Sequence, residues 1–195
     1  MIKPFDFYFD FISPYSFLAH KEIRKIEKKE GCKIRYIPIL LGGLHNLHGI
    51  KAPAFIPAKA KHMIKDCKLI AERNNIKFKF NSYFPIRSLN LMRGVLVAEE
   101  DNIKNYYIDN IFNTIWQDGL NMNDEIIIQK VLKNLNTNPK TFSLRSSSSL
   151  IKDSLRKKTT EAYEKGIFGA PTFVVNDKIF WGQDRLEFAL KEASK

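Results

Sequence analysis

The stretch from Phe5 to Ala19 constrains this chain more than any other. Its first half, Phe5-Asp6-Phe7-Tyr8-Phe9-Asp10-Phe11, is aromatic enough to suit a buried strand. Its second half reads as a helix start, with Ser13 as N-cap and Pro14 at the first helical position. A strand that delivers a hydroxyl to a helix N-terminus creates a place for an anion. The first backbone N–H groups there lack intrahelical partners, and the helix dipole adds partial positive charge. A thiolate held against the hydroxyl is one such anion. Ser13 serves equally well as a plain cap, so this stretch alone leaves both readings open.

Taken in order, the chain supports a particular architecture. The first helix spans about Ser13 to Glu30, with Phe17, Leu18, Ile23 and Ile26 on one side, and Gly31 stops it. A strand from Lys33 to Leu41 follows, giving a βαβ unit with a parallel pair. Gly42-Gly43 is expected to break regular structure and open a loop from Leu44 to about Pro57. From Ala58 to about Lys158 the pattern is helical. One face of a first helix carries Ile64, Cys67 and Ala71. A second carries Leu89, Met92 and Leu96, and a third carries Ile108, Ile111, Phe112, Ile115 and Trp116. A fourth starts at Asn123 or Asp124, and Asn138-Pro139 offers a cap and first-turn proline for a fifth. The run Ser146 to Ser149 fits a helix-to-helix turn or a polar face.

Strand signal returns at Pro171 to Val175 and Lys178 to Trp181, joined by Asn176-Asp177 as a hairpin, before a last helix from Asp184 to Ala193. Removing the helical block leaves βαβ-ββα. The expected fold is therefore α/β and thioredoxin-like with a large all-helical insertion. Residues 1–57 and 159–195 form the thioredoxin-like domain and 58–158 the insertion.

Composition limits what such a domain can be. At 195 residues with 44% hydrophobic content, the chain is long and apolar enough for a proper core. Met1-Ile2-Lys3-Pro4 leads almost directly into a strand, and no run of about 18 apolar residues exists, so a cytoplasmic protein without a membrane partner is expected. Cys32 and Cys67 form no C-x-x-C motif and read as free thiols. His45, His48, His62 and Cys67 lack the paired spacing of a zinc site, so no metal is expected. The net charge of +11 invites a nucleic-acid reading. However, Lys21, Arg24, Lys25, Lys28 and Lys29 alternate with Glu22, Glu27 and Glu30 as on a solvated helix face. Small anions rather than nucleic acid are the expected partners. Trp116 and Trp181 are expected in the core.

Five strings carry a resemblance that spans essentially the whole chain. They are Phe9-Asp10-Phe11-Ile12-Ser13-Pro14-Tyr15-Ser16, Ile56-Pro57-Ala58-Lys59, Phe84-Pro85-Ile86 with Leu91-Met92-Arg93, Gly166 through Phe173, and Phe180-Trp181-Gly182-Gln183-Asp184-Arg185. In this order and at these separations the sequence resembles the 2-hydroxychromene-2-carboxylate isomerase family. Its relatives are the kappa-class glutathione transferases, in the DsbA-like thioredoxin-fold group. Where a disulfide oxidoreductase carries C-x-x-C, this chain reads Ser13-Pro14-Tyr15-Ser16, so it cannot perform dithiol exchange on its own.

The resemblance implies that the sulfur belongs to glutathione and that Ser13 donates a hydrogen bond to its thiolate. Ser16, a helical turn further in, is the poorer candidate. The resemblance further implies a cis Ala170-Pro171 bond with the Ala170 backbone pairing with glutathione, against a trans proline that simply opens the strand. It implies Gln183 and Asp184 at the γ-glutamyl end, although Asp184 also suits an N-cap, and it implies Lys59 at the glycine carboxylate. Two positions depart from the family, which commonly has Asn where Ile50 and Arg87 stand. Arg87 beside the acceptor pocket suggests a carboxylate-bearing substrate. The implied enzyme is a homodimer. It uses glutathione to isomerise an electrophilic aromatic pyruvate-type substrate, or to conjugate one; a basic binding module without catalysis is the remaining alternative.

Overall fold

The computed structural model describes residues 2–195. Its sheet has four strands, β1 (Asp6–Phe9), β2 (Arg35–Pro38), β3 (Thr172–Val175) and β4 (Lys178–Trp181), in the order β2-β1-β3-β4. β1 is parallel to β2 and antiparallel to β3, and β3 is antiparallel to β4. The βαβ and ββ units expected from the sequence are thus joined edge to edge around the aromatic strand. The side-chain period of two separates its neighbours. Phe7 and Phe9 stack on each other at 5.6 Å, and Phe7 stacks on Phe173 at 5.4 Å. All belong to the main core. Tyr8 points to the other face, into a smaller cluster with Ile39, Leu44, Ala162 and Ile167.

The crossover from β1 to β2 is α1 (Pro14–Glu30), which buries Phe17, Leu18 and Ile23 and ends where Gly31 takes a left-handed φ of 64°. α2 (Leu41–Leu47) corrects the expected break at Gly42-Gly43: both glycines lie inside a helix. The cause is tertiary. Leu44 is fully buried, and the Leu41 N–H, which has no local side-chain cap, donates to the carboxylate of Asp10 at 2.8 Å. A 3₁₀ turn at Pro53–Phe55 further interrupts the expected loop.

Six helices then precede the hairpin: α3 (Pro57–Arg73), α4 (Leu89–Glu100), α5 (Lys104–Trp116), α6 (Glu125–Asn134), α7 (Pro139–Ser146) and α8 (Ser149–Glu164). Asp124, Asn138 and Ser148 cap α6, α7 and α8 through their side chains, so the serine run is a helix-to-helix turn. Leu89, expected inward on α4, is exposed, while Met92 and Leu96 are buried. α8 passes position 158 without a break. The hairpin turn places Asn176 and Asp177 at φ of 48° and 61°, as a type I′ turn requires. After a 3₁₀ turn at Gln183–Arg185, α9 (Leu186–Ala193) closes the chain. Among the described residues no helix is long and apolar enough to cross a membrane.

Candidate active site

The loop between β1 and α1 is pinned from several directions. The Asp10 carboxylate is fully buried and accepts the Ile12 N–H at 3.0 Å as well as that of Leu41. Burial pushes its pKa up to about 6, against the hydrogen bonds, including that of Ser88, that favour the ionised form. The buried Trp116 indole N–H donates to the Phe11 carbonyl at 2.8 Å. Ser13 is thereby held extended, at φ −86° and ψ 113°, as the N-cap of α1. Its Oγ accepts the Ser16 N–H at 3.1 Å, and its hydroxyl donates to the Ala170 carbonyl at 3.0 Å. The cap reading of Ser13 is thus realised, and the same hydroxyl joins the start of α1 to the turn before β3. Pro14 has no N–H, and the Tyr15 N–H has no acceptor among the described residues. One donor at the positive end of the helix remains free.

The facing wall is the turn into β3. Ala170-Pro171 is cis, as is Phe84-Pro85, for which the sequence reading held no expectation of a cis bond. The Gly182 N–H donates to the Pro171 carbonyl at 2.9 Å, tying this turn to the segment after β4. Gly169 lets the Trp181 indole pack close to this turn: a Cβ there would lie 2.5 Å from the indole nitrogen and displace the ring. Trp181 corrects the expectation of a core residue. It is 52% exposed, packs 4.9 Å from the Phe168 ring and lines the cleft, because β4 is an edge strand.

The cleft between these walls has a volume of about 550 Å³. Ala170, Pro171, Gln183 and Asp184 line it, together with Tyr15 of α1 and Asp66, Ile70 and Arg73 of α3. The Tyr15 hydroxyl donates to Asp66 at 2.7 Å, and burial together with this carboxylate raises the phenol's pKa. Asp184 is not the N-cap of α9, which begins two residues later without a side-chain cap. It lies in the 3₁₀ turn, its carboxylate 3.3 Å from Arg185. Ser16 is fully buried and its Oγ has no partner, so it offers no surface to a ligand.

Of the residues singled out in the sequence, the structure brings Ser13, Ala170, Pro171, Gln183 and Asp184 together. It does not bring Lys59 or Arg87 to the cleft wall. Lys59 is exposed on the first turn of α3, and Arg87 is exposed with its N–H donating to Asn123. Tyr15, Asp66, Arg73, Trp181 and Arg185 are cleft residues that sequence reasoning assigned no role there. Tyr15 had a signal in its position between Ser13 and Ser16. Asp66 and Arg73 had none, since only the docking of α3 places them. His48 holds the Ile167 carbonyl at 2.8 Å. Among the described residues no three of His, Cys, Asp and Glu gather as a metal site requires.

Comparison with known proteins bears on the fold and the family. The model of the DSBA-like thioredoxin domain matches residues 5–193. The 2-hydroxychromene-2-carboxylate isomerase of Sphingobium xenophagum is 30% identical over 190 residues, covering 96% of each chain. The chain belongs to the 2-hydroxychromene-2-carboxylate isomerase family, within the DsbA-like thioredoxin group. This isomerase-family chain also superposes on a solved 2-hydroxychromene-2-carboxylate isomerase with a TM-score of 0.88, at 27% identity, covering 98% of this chain and 94% of that one. Glutathione S-transferase kappa 1 of Caenorhabditis elegans is 28% identical, covering 92% of this chain and 86% of its own. These relatives are enzymes.

Proposed function

We propose that this family member binds glutathione in the Ser13–Pro171 cleft and isomerises a conjugated, electrophilic aromatic carboxylate of the chromene or aromatic pyruvate type. The observation that carries the reading is the free donor at the start of α1. Among the described residues the Tyr15 N–H lacks an acceptor, beside a hydroxyl that donates to the residue before the cis-proline. Such donors fit a thiolate. Bound glutathione would supply a thiolate that adds to the double bond, permits rotation, and leaves again.

The chain's own residues do the rest. Ser13 has one proton, now directed at the Ala170 carbonyl, and turning its O–H toward the sulfur transfers that bond to the ligand. The Ala170 backbone is then free to pair with the tripeptide, and Gln183 and Asp184 take the γ-glutamyl ammonium. The donors accelerate the reaction only so far as they favour thiolate over thiol and the charge that develops as it adds.

Calorimetry with reduced glutathione, followed by a pH titration of the bound thiol in Ser13→Ala, tests this. Loss of a charge-assisted hydrogen bond raises the thiol pKa by about one to two units and slows turnover about 10- to 100-fold. An unchanged titration and rate would remove Ser13 from the chemistry. The nematode transferase relative favours a second reading, conjugation. Mass spectrometry separates the two, because isomerisation leaves the substrate mass unchanged and conjugation yields a thioether.

A further inference from the structure

The two oxygens of the Asp10 carboxylate serve two different segments of the chain. Oδ1 accepts the Ile12 N–H at 3.0 Å, and the Asp10 carbonyl accepts the Ser13 N–H at 3.1 Å, closing residues 10–13 into a turn that ends on the cap of α1. Oδ2 accepts the Leu41 N–H at 2.8 Å, at the first position of α2. α2 in turn braces the segment that leads to the cis-proline. Leu41 and Ala170 pack against one cluster that holds Leu44 and Ile167, and His48, which ends α2, lies 2.8 Å from the Ile167 carbonyl. One buried side chain therefore holds the loop of Ser13 directly and the turn of Ala170-Pro171 through a single helix.

This carboxylate is fully buried, and what faces it is the Ile12 and Leu41 N–H groups and the Ser88 hydroxyl at the start of α4. Among the described residues no charged side chain of β1, α1, α2, α4 or α8 pairs with it. An ionised carboxylate offers these donors acceptors only. Protonation sets an O–H among them and turns both amide bonds from charge-assisted into neutral ones, about half as strong. We infer that Asp10 is a positioning residue: as a carboxylate it fixes Ser13 and the Ala170-Pro171 turn relative to each other, and its protonation loosens both together, so that mild acid weakens ligand binding. The glutathione reading above supplies the identity of the ligand, whereas the coupling of the two segments stands on the geometry alone. Burial raises the Asp10 pKa to about 6, which brings the change close to neutrality.

The first test needs no ligand. Amide chemical shifts of the full chain are followed by NMR from about pH 7.5 to about pH 5. Ile12 and Leu41 report the protonation of Asp10 directly, and the Ser13 and Ala170 amides shift with the same midpoint, about pH 6. In Asp10→Asn this common transition is absent. Ser88→Ala removes a bond that favours the carboxylate and moves the common midpoint up. Ser13 and Ala170 amides that ignore the transition of Ile12 and Leu41 overturn the inference, and so does a transition that persists in Asp10→Asn, which would belong to His45 or His48 of α2. If Asp10→Asn does not fold, Ser88→Ala decides, and an unmoved midpoint overturns the inference.

The second test is calorimetry with S-methylglutathione, whose capped sulfur removes the thiol from the titration. Wild type loses about tenfold in affinity over the same pH range, which by reciprocity is a change of about one unit in the Asp10 pKa on binding. Asp10→Asn holds its affinity within twofold. Wild-type binding that does not vary with pH overturns the role of Asp10 toward the ligand. Failure of wild type to bind either S-methylglutathione or glutathione at any pH sinks the glutathione reading instead, and the NMR titration still decides whether Asp10 couples the two segments.

Discussion

The first turn of α1 and its middle turns use the same kinds of polar group and leave them in opposite states. In the middle, every group is closed. His20 is 1% exposed, with Nδ1 2.8 Å from the Tyr36 hydroxyl and Nε2 3.1 Å from Asp109. Arg24 donates to the same Asp109 carboxylate at 2.8 Å and to Glu27, and it covers the Tyr36 ring at 4.9 Å. Among the described residues, the Tyr15 N–H in the first turn has no acceptor, and Arg73, which lines the same cleft, has neither an ion pair nor a hydrogen bond. A buried polar group without a partner costs free energy, which a protein tolerates where a ligand supplies the missing bond. The closed network joins α1 to β2 and α5 and serves the fold. On the proposed function, the open one serves recognition.

Mutation of the closed side breaks that contrast most severely. His20→Ala removes a fully buried ring stacked at 4.9 Å on Phe112 and leaves the buried Tyr36 hydroxyl unpaired. It costs about 3 kcal/mol of stability in urea unfolding. On the glutathione reading, affinity per folded molecule does not change. A loss under 1 kcal/mol would show that the network is not structural.

The same histidine predicts an acid limb. Burial depresses its pKa below 6.5, ahead of the opposing influence of Asp109, so the folded protein holds it neutral. The unfolded chain takes up a proton as pH falls through about 6.5, and the folded chain does not. Stability therefore declines below about pH 6.5, and His20→Gln flattens this slope relative to wild type in denaturation series at pH 7 and 5.5. An identical slope in the variant would assign the acid limb to other groups.

The legible part of this protein was its local chemistry. Ser13-Pro14, Gly31, Asn138-Pro139 and the Asn176-Asp177 turn each act through neighbours within a few positions, so their sequence patterns decide their structure. The order βαβ, helices, ββα followed from these boundaries. What failed depended on distant partners. Gly42-Gly43 reads as a breaker because glycine in a helix costs up to about 1 kcal/mol per residue. It is helical here because Asp10, 31 positions before Leu41, accepts the first N–H. Trp181 reads as core because tryptophan usually is, and only its place on an edge strand leaves it half exposed. Half of the cleft was readable from Ser13, Ala170-Pro171 and Gln183-Asp184. The α3 wall was not, since nothing near Asp66 or Arg73 in sequence announces that they face Pro171.

On the open side the effects on stability are smaller and those on ligand larger. Ser13→Ala loses an N-cap bond and the bond to Ala170, costing about 1 kcal/mol in the same unfolding assay. A cost of 3 kcal/mol or more would class Ser13 with His20, as a member of the scaffold. Gly169→Ala gives the smallest change. The added Cβ meets the Trp181 indole and no backbone, and an indole 52% exposed can swing away, so stability falls by no more than about 0.5 kcal/mol. The displaced ring is visible directly. Trp116 is fully buried and Trp181 is the other tryptophan of the chain, so a shift in fluorescence quenching by an added solute reports Trp181 alone. Greater access of quencher to Trp181 with weaker glutathione binding is the expected pair of results. Unaltered quenching with a large loss of stability would mean that this wall is packed as firmly as the His20 network, and the distinction between the two ends of α1 would no longer hold.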